Sequence, residues 1–427
     1  MRQQLLPSMS VDIEAALKRL NESAGKSRCS IFRVSQVVAG GIAEACRPRM
    51  VSIGPYHHGE SELEMFQGHK WRYLHGMLGR TQSHGICLEK LIDVVAPKEK
   101  IIRQCYLESI DNFNGSDLVK MMVLDGCFII ELFRELLGLI FYPDSPLSYN
   151  TYVITFVTQD ILRLENQVPY FVLQDLFETT NVPEGTSSLA DLSFDFFSGF
   201  LKGLCLERRI HLKGVHLLDL FRLSLIPLDQ QDNRVDERSP FHMIRSASEL
   251  HRVGIGFKHE EASTFLEIKF YKKHRTIGIP KIAVDDDDLN WILPNMIAFE
   301  QCRGQEDNQI TAYAMFMGSL IRTVDDVQLL RDCKVISNYG MSNEDLARFF
   351  GNIRKAAPSD VKGSYLALEF ATLNESLKYE RAYLCWAQLL NAIHDNPWSV
   401  LSGLAIIVTL AGMIQTVYAI LQYYHPK

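Results

Sequence analysis

Apolar positions recur at helical spacing over most of this chain. From residue 88 to residue 225 the spacing is helical almost throughout, with breaks near Asn112–Ser116, Pro143–Ser148 and Asn181–Ser188. Upstream, Val51 to Ile53 reads as a short extended piece and Gly54-Pro55 as a turn. Ser61, with Glu64 three residues on, reads as a capping box opening a helix to about Leu78. CSIFRVSQVV at 29–38 fits an extended segment or a helix equally. Between 254 and 284 the period shortens to two, in GIGFK, TFLEIKFYKK and TIGIPKIAV, which predicts a small antiparallel sheet. Helical spacing resumes at about Leu289 and runs to Asp395, with Leu366, Phe370, Leu373, Leu377 and Leu384 along one long helix. The fold class that follows is mainly α: a large multi-helix body with one small antiparallel β-sheet.

Two stretches are conspicuously apolar, and they differ in charge. Met121 to Tyr142 carries Asp125, Glu131, Arg134 and Glu135. Glu131, Arg134, Glu135 and Gly138 share one side, so this helix is expected to keep a stripe in water. Trp398 to Leu421 has no Asp, Glu, Lys, Arg or His at all. A helix of that length reaches roughly 36 Å, against about 30 Å of hydrocarbon in a bilayer. Trp398 stands at one end and Tyr418, Tyr423 and Tyr424 at the other, as interfacial aromatics do. The stretch is therefore expected to be a single C-terminal transmembrane helix, contacting the lipid bilayer. Ser399 with Gly403, and Gly412, Gln415 and Thr416, would offer small and polar groups to a partner helix.

The N-terminus, MRQQLLPSMS, has no long apolar run and so no secretory signal. A lone C-terminal span without a signal is a tail anchor, which would leave the bulk of the chain cytosolic at the plasma membrane or the endoplasmic reticulum. Lys378 and Arg381 before the span, against Lys427 beyond it, agree with that orientation. The organisation expected is an arm and linker over 1–27, a helical body over 28–395 with the sheet near 254–284, an anchor over 398–421 and a short tail over 422–427. The polar segment DQQDNRVDERSP at 229–240 reads as a linker.

Charge and chemistry narrow the function. A net charge of −7 and the absence of a dense basic patch argue against nucleic acid as a partner. The 9 cysteines are odd in number and contain no CxxC pair, which points to reduced thiols rather than disulfides or a zinc module. Asn21, Asn114 and Asn374 head sequons that chance accounts for. Gly25-Lys26-Ser27 resembles the end of a phosphate loop, but Leu20 stands where its first glycine belongs. No GxSxG, HExxH or GxGxxG is present. His57, His58 and His69 lack a carboxylate or thiol at ligand spacing, so no metal is assigned. Asp285 to Asp288 lack the glycine and closing glutamate of a calcium loop, and Asp288 is expected to cap the following helix. Asp125 either caps a helix or is buried with partners, and the amides of Asn166 and Gln167, beside Glu165 and ahead of Pro169, are placed to satisfy freed backbone groups. No catalytic or cofactor-binding residue is assigned.

The pieces MVSIGPYHHG with HKWRYL, LDGCFIIELF, DILRLENQVPYFVLQDLF, HLLDLFRL, IRSASELHRVGIGFK, PNMIAFEQC and ITAYAMFMGSLIRTVDDVQLL, followed by the apolar tail, resemble in their order the plant proteins grouped as domain of unknown function 247. The resemblance covers about residues 29 to 421. It implies a plant protein, usually with one C-terminal span, and no established enzymatic activity. Some grass members are implicated in self-incompatibility, which implies recognition rather than catalysis. The expected function is that of a membrane-anchored, non-enzymatic interaction or recognition protein with a protein partner. The alternative is an enzyme with an unrecognised site acting on a membrane-associated substrate, which convergence of His57, His69, Asp125 and Glu165 in one deep pocket would favour.

Overall fold

The computed structural model describes residues 29–34, 40–142, 145, 151–181, 188–200, 212–227, 245–262, 264–281, 286–303, 308–336, 340–356, 364–377, 405 and 408–417. The expected arm over 1–27 and the linker at 229–240 lie outside them.

Helices dominate. In chain order they are α1 (Gln67–Thr81), α2 (Leu88–Val95), α3 (Glu99–Cys105), α4 (Gly115–Leu136), α5 (Thr151–Ile161), α6 (Tyr170–Thr180), α7 (Leu189–Phe200), α8 (Leu217–Leu225) and α9 (Ala247–Arg252). After the sheet come α10 (Asp286–Arg303), α11 (Gln309–Leu320), α12 (Val324–Asp332), α13 (Asn343–Ala356) and α14 (Ala367–Leu377). Short polar side chains open several of them. Asn114 accepts the Asp117 N–H at the start of α4, and Ser246 with Glu249 and Thr323 with Asp326 form reciprocal capping boxes on α9 and α12.

The capping box expected at Ser61 and Glu64 does not form. Ser61–Phe66 is a 3-10 turn whose cap, Glu60, makes no side-chain cap bond. The Glu60 carboxylate is drawn instead to His57 and Arg47. Asp288 does not cap either, because α10 already begins at Asp286.

α4 is the central helix. Residues all round it are buried, and it packs on α1, α2, α6 and α7. Of its expected wet stripe, Glu135 is half-buried and Gly138 exposed, but Glu131 and Arg134 belong to a buried ion-pair cluster. Glu131 is 0% exposed and accepts from Arg80 at 2.7 Å, Arg134 at 2.7 Å and the Tyr142 hydroxyl at 2.5 Å. A charge can be buried when opposite charges and donors surround it. The polar pattern therefore marked an internal contact. Phe133 stacks on Phe196 of α7 at 4.1 Å, and the apolar core continues without a break from Ile31 to Leu373.

The small sheet is mixed, not wholly antiparallel. β1 (Gly256–Glu260), β2 (Lys269–Tyr271) and β3 (Thr276–Pro280) lie in the order β1-β3-β2, with β3 central. β2 pairs with β3 antiparallel through the tight connection at Lys272–His274, but β1 pairs with β3 parallel. β2 itself runs back against β1 with one strand position left between them, and β3 enters that position in the direction of β1. Alternation of side chains does not encode strand direction, which is set by where the connections run. Residues 29–34 are extended, with Ile31 bridged to Tyr106.

The C-terminal anchor expected over Trp398–Leu421 is not supported. Among the described residues, no helix is long and apolar enough to cross a membrane. Trp398 and Leu421, the expected ends, lie outside the described residues. A lack of charge satisfies the hydropathy requirement, while spanning also needs about 20 residues of helix. The transmembrane, single-pass, tail-anchored reading does not stand, and nor does the single-pass membrane location built on it.

The turn at Gly54 shows how tightly the interior is set. Its φ is +72°, and a Cβ there would lie 2.7 Å from the Gln167 carbonyl oxygen. Gly54→Ala is expected to cost about 1–3 kcal/mol of stability, read as a lowered urea midpoint.

Candidate functional site

Two places concentrate polar side chains: a buried hub around Gln159–Pro169, and an open cleft beside it.

The hub forms where α5 ends and the chain crosses the interior to α6. A chain buried there must find partners for its backbone groups, and side chains supply them. Asp160, 0% exposed, accepts the N–H groups of Arg49, Met50 and Val51 at 2.6–3.0 Å and the Nε of Arg163 at 2.8 Å. Burial pushes the Asp160 carboxyl up, while Arg163 and the three N–H groups pull it down. Asn166 accepts from Ile53 N at 2.6 Å and donates to the carbonyls of Val51 and Asp160. Gln167 donates to the carbonyls of Ile161 and Arg163, and accepts from Leu218 N on α8 at 3.3 Å. Asn295 of α10 accepts Leu164 N at 2.7 Å and donates to Ala45. The expectation that Asn166 and Gln167 satisfy backbone groups holds. Pro169 sits at the N-cap of α6, where its missing N–H costs nothing.

The histidines and acids singled out in the sequence are distributed around this hub. His57 is buried, with Nε2 2.9 Å from Glu165 and Nδ1 2.8 Å from Glu60. The other Glu165 oxygen accepts Val34 N at 2.7 Å. Asp125 is buried mid-helix, so it caps nothing. It accepts Gly54 N at 2.8 Å and pairs with the buried ammonium of Lys70 at 2.5 Å. His69 is half-buried against the Phe66 ring, and burial lowers its pKa. His58 meets Phe113 edge-on. His57 and Glu165 come together, and Asp125 braces the same loop over 51–57. His69 stays apart, and none of the four lines the cleft described below, so these residues do not converge in one pocket. Among the described residues no cluster of His, Cys, Asp and Glu is arranged to hold a metal ion.

Hidden ion pairs such as Lys70–Asp125 had no sequence signal, because the partners lie far apart in the chain. The same is true of the pair between Glu300 and Arg222, which is fully buried on α8 and 3.2 Å from it, whereas its second partner, Asp219 at 3.1 Å, is one turn away on the same helix.

The cleft has a volume of about 770 Å³. One wall is the outer face of α6, with Tyr170, Phe171, Gln174, Asp175 and Glu178 spaced one turn apart, and the other is the extended segment from Leu212 to Val215. Cys29, Ile101, Cys105 and Arg303 also line the cleft. Burial pushes the Cys29 thiol up to about 11, so it is not a ready thiolate near neutral pH. The sequence concealed this cleft: an exposed helical face with Gln174, Asp175 and Glu178 reads the same whether it faces bulk water or a groove.

His216 ties the cleft to the core. Its Nδ1 accepts Asp219 N at 3.2 Å, capping α8, and its Nε2 donates to the Ser30 carbonyl at 3.1 Å. This arrangement requires the neutral ring, and burial lowers its pKa to about 4. Between that value and the ordinary 6.5, the unfolded chain binds the proton and the folded chain does not. Stability is therefore lost as pH falls through this window, by about 3 kcal/mol in all. His216→Asn keeps a capping acceptor and is expected to flatten that part of the stability–pH curve, measured by urea unfolding at stepped pH.

A family model described as a plant protein of unknown function, domain of unknown function 247, matches residues 31–411. A UPF0481 protein of Arabidopsis thaliana is 34% identical over 96% of this chain and 90% of its own length. A second UPF0481 protein of the same plant is 22% identical over 77% of this chain and 78% of its own length. No solved structure matches.

Proposed function

Since this chain belongs to the plant family of domain of unknown function 247, whose function is unknown, we propose from the site itself that it is a non-enzymatic interaction protein that binds a protein partner. The observation that carries this reading is how its chemistry-bearing side chains are used. Both oxygens of Asp125, Asp160 and Glu165 are occupied by backbone N–H groups, buried cations or His57. A general acid or base must reach substrate, and these groups face the interior. The cleft, by contrast, is open and has apolar walls and charges of both signs along its margin. Its size falls in the usual range for ligand sites, about 300–1,000 Å³. Such a surface suits a segment of another protein.

Proximity labelling with the full chain expressed in plant cells is expected to return a reproducible set of partners above a size-matched control. Replicates that share no partner would overturn the reading.

A further inference from the structure

Two sides of the cleft are joined through the His216 ring, and the joint works only while that ring is neutral. The wall from Leu212 to Val215 leads directly into His216, and Ser30 lines the cleft from the N-terminal segment. Nε2–H of the ring donates to the Ser30 carbonyl at 3.1 Å. The turn into α8 is closed from both ends. His216 Nδ1 accepts the Asp219 N–H at 3.2 Å, and an Asp219 carboxylate oxygen accepts the Val215 N–H at 3.0 Å. The Val215 carbonyl in turn accepts the Tyr170 N–H at 2.9 Å, which ties the wall to the start of α6. The ring is fully buried, edge-on to Phe299 of α10 with centroids 4.7 Å apart.

A second proton has no place in this arrangement. Protonated Nδ1 is a donor, and it would face the Asp219 N–H, another donor. The charges around the ring are already matched. Asp219 and Arg222 come from α8, Glu300 and Arg303 from α10. Arg222 pairs with both carboxylates, and Arg303 lies 3.6 Å from Asp219. Glu300 also accepts the Ile310 and Thr311 N–H groups. The wall adds Lys213, which is exposed, and the N-terminal segment adds Cys29, whose thiol burial pushes up to about 11. An imidazolium here is a buried cation without a free counter-charge, which is costly. It is relieved by turning out of the turn into the open cleft.

Resting on the interaction reading of the cleft, we propose that His216 is a proton-operated latch, whose protonation frees the wall at 212–216 from α8 and from Ser30 and opens the cleft to a partner while α4 stays folded. Latched, the ring takes its proton only near pH 4, held there by burial and by Arg303 and Arg222; turned into water it takes it at the ordinary 6.5. The open form therefore gains on the latched form as pH falls through this window, by roughly tenfold for each pH unit.

The test is amide hydrogen exchange of the full chain read by mass spectrometry, at about pH 7 and about pH 4.5, with exchange times scaled for the intrinsic effect of pH. The peptide over 214–220 holds the Val215 and Asp219 N–H groups of the latch. It is expected to lose protection by more than about tenfold in acid, while peptides of α4 keep theirs. His216→Asn retains an acceptor for the Asp219 N–H but takes no proton, and is expected to abolish the acid-induced loss at 214–220. Unchanged protection of 214–220 in wild type, or loss shared equally by α4, overturns the proposal however the variant folds. Opening that persists with the same pH dependence in His216→Asn overturns it as well. Exchange reports the latch alone and proximity labelling the partner alone, so failure of one is told from failure of the other.

Discussion

The structure depends on a stretch of backbone that must cross the interior without regular hydrogen bonding. Between the end of α5 at Ile161 and the start of α6 at Tyr170 the chain is buried, and so is the loop from Val51 to His57 that it meets. Buried N–H and C=O groups that lack partners are costly. Asp160, Asn166, Gln167 and, from α10, Asn295 provide those partners. Through them one segment holds the 45–54 region, α8 and α10 in a single relation. The positions of α4 and α1 follow, because Asp125 and Lys70 bind the far side of the same loop.

The use of ionic and amide side chains inside the fold has a functional consequence. Buried ion pairs contribute little net stability against apolar replacements, but breaking one partner out is costly. Lys70–Asp125 and Arg222–Glu300 each join two helices, α1 to α4 and α8 to α10, while Arg163–Asp160 is local and fixes the turn after α5. Residues that would elsewhere suggest catalysis serve here as braces. What remains accessible is the outer face of α6 and the extended segment opposite it. His216, anchoring both Ser30 and the start of α8, keeps the back of that cleft continuous with the core.

Much of the helical plan was legible from periodicity, because a helix that buries one face must repeat apolar residues at 3.6 spacing. The turn at Gly54-Pro55 and the backbone-satisfying role of Asn166 and Gln167 were legible too. The errors share a cause. Glu131 and Arg134 read as a wet stripe because their spacing shows charge but not the Arg80 and Tyr142 that enclose it. Ser61 and Glu64 have the spacing of a capping box, but His57 and Arg47 compete for the neighbouring Glu60 and the turn tightens. The strands alternate as expected, yet the parallel pairing of β1 with β3 depends on the path of the chain between them. The tail from Trp398 to Leu421 has the composition of a span, yet among the described residues no helix is long and apolar enough to cross a membrane.

By itself, then, the sequence determined the family, the predominance of helix, the place of the small sheet and the local chemistry of turns and amides. These follow from short-range spacing and from the order of motifs along the chain. Only the tertiary structure decided which charges are hidden, how the strands run, and that His57, Asp125 and Glu165 brace a loop instead of forming an active site. It alone brought residues 29–30, 101–105, 170–178 and 212–215 around one cleft. The physical reason is that burial and pairing are properties of partners distant in sequence, and no local pattern records who the partner is.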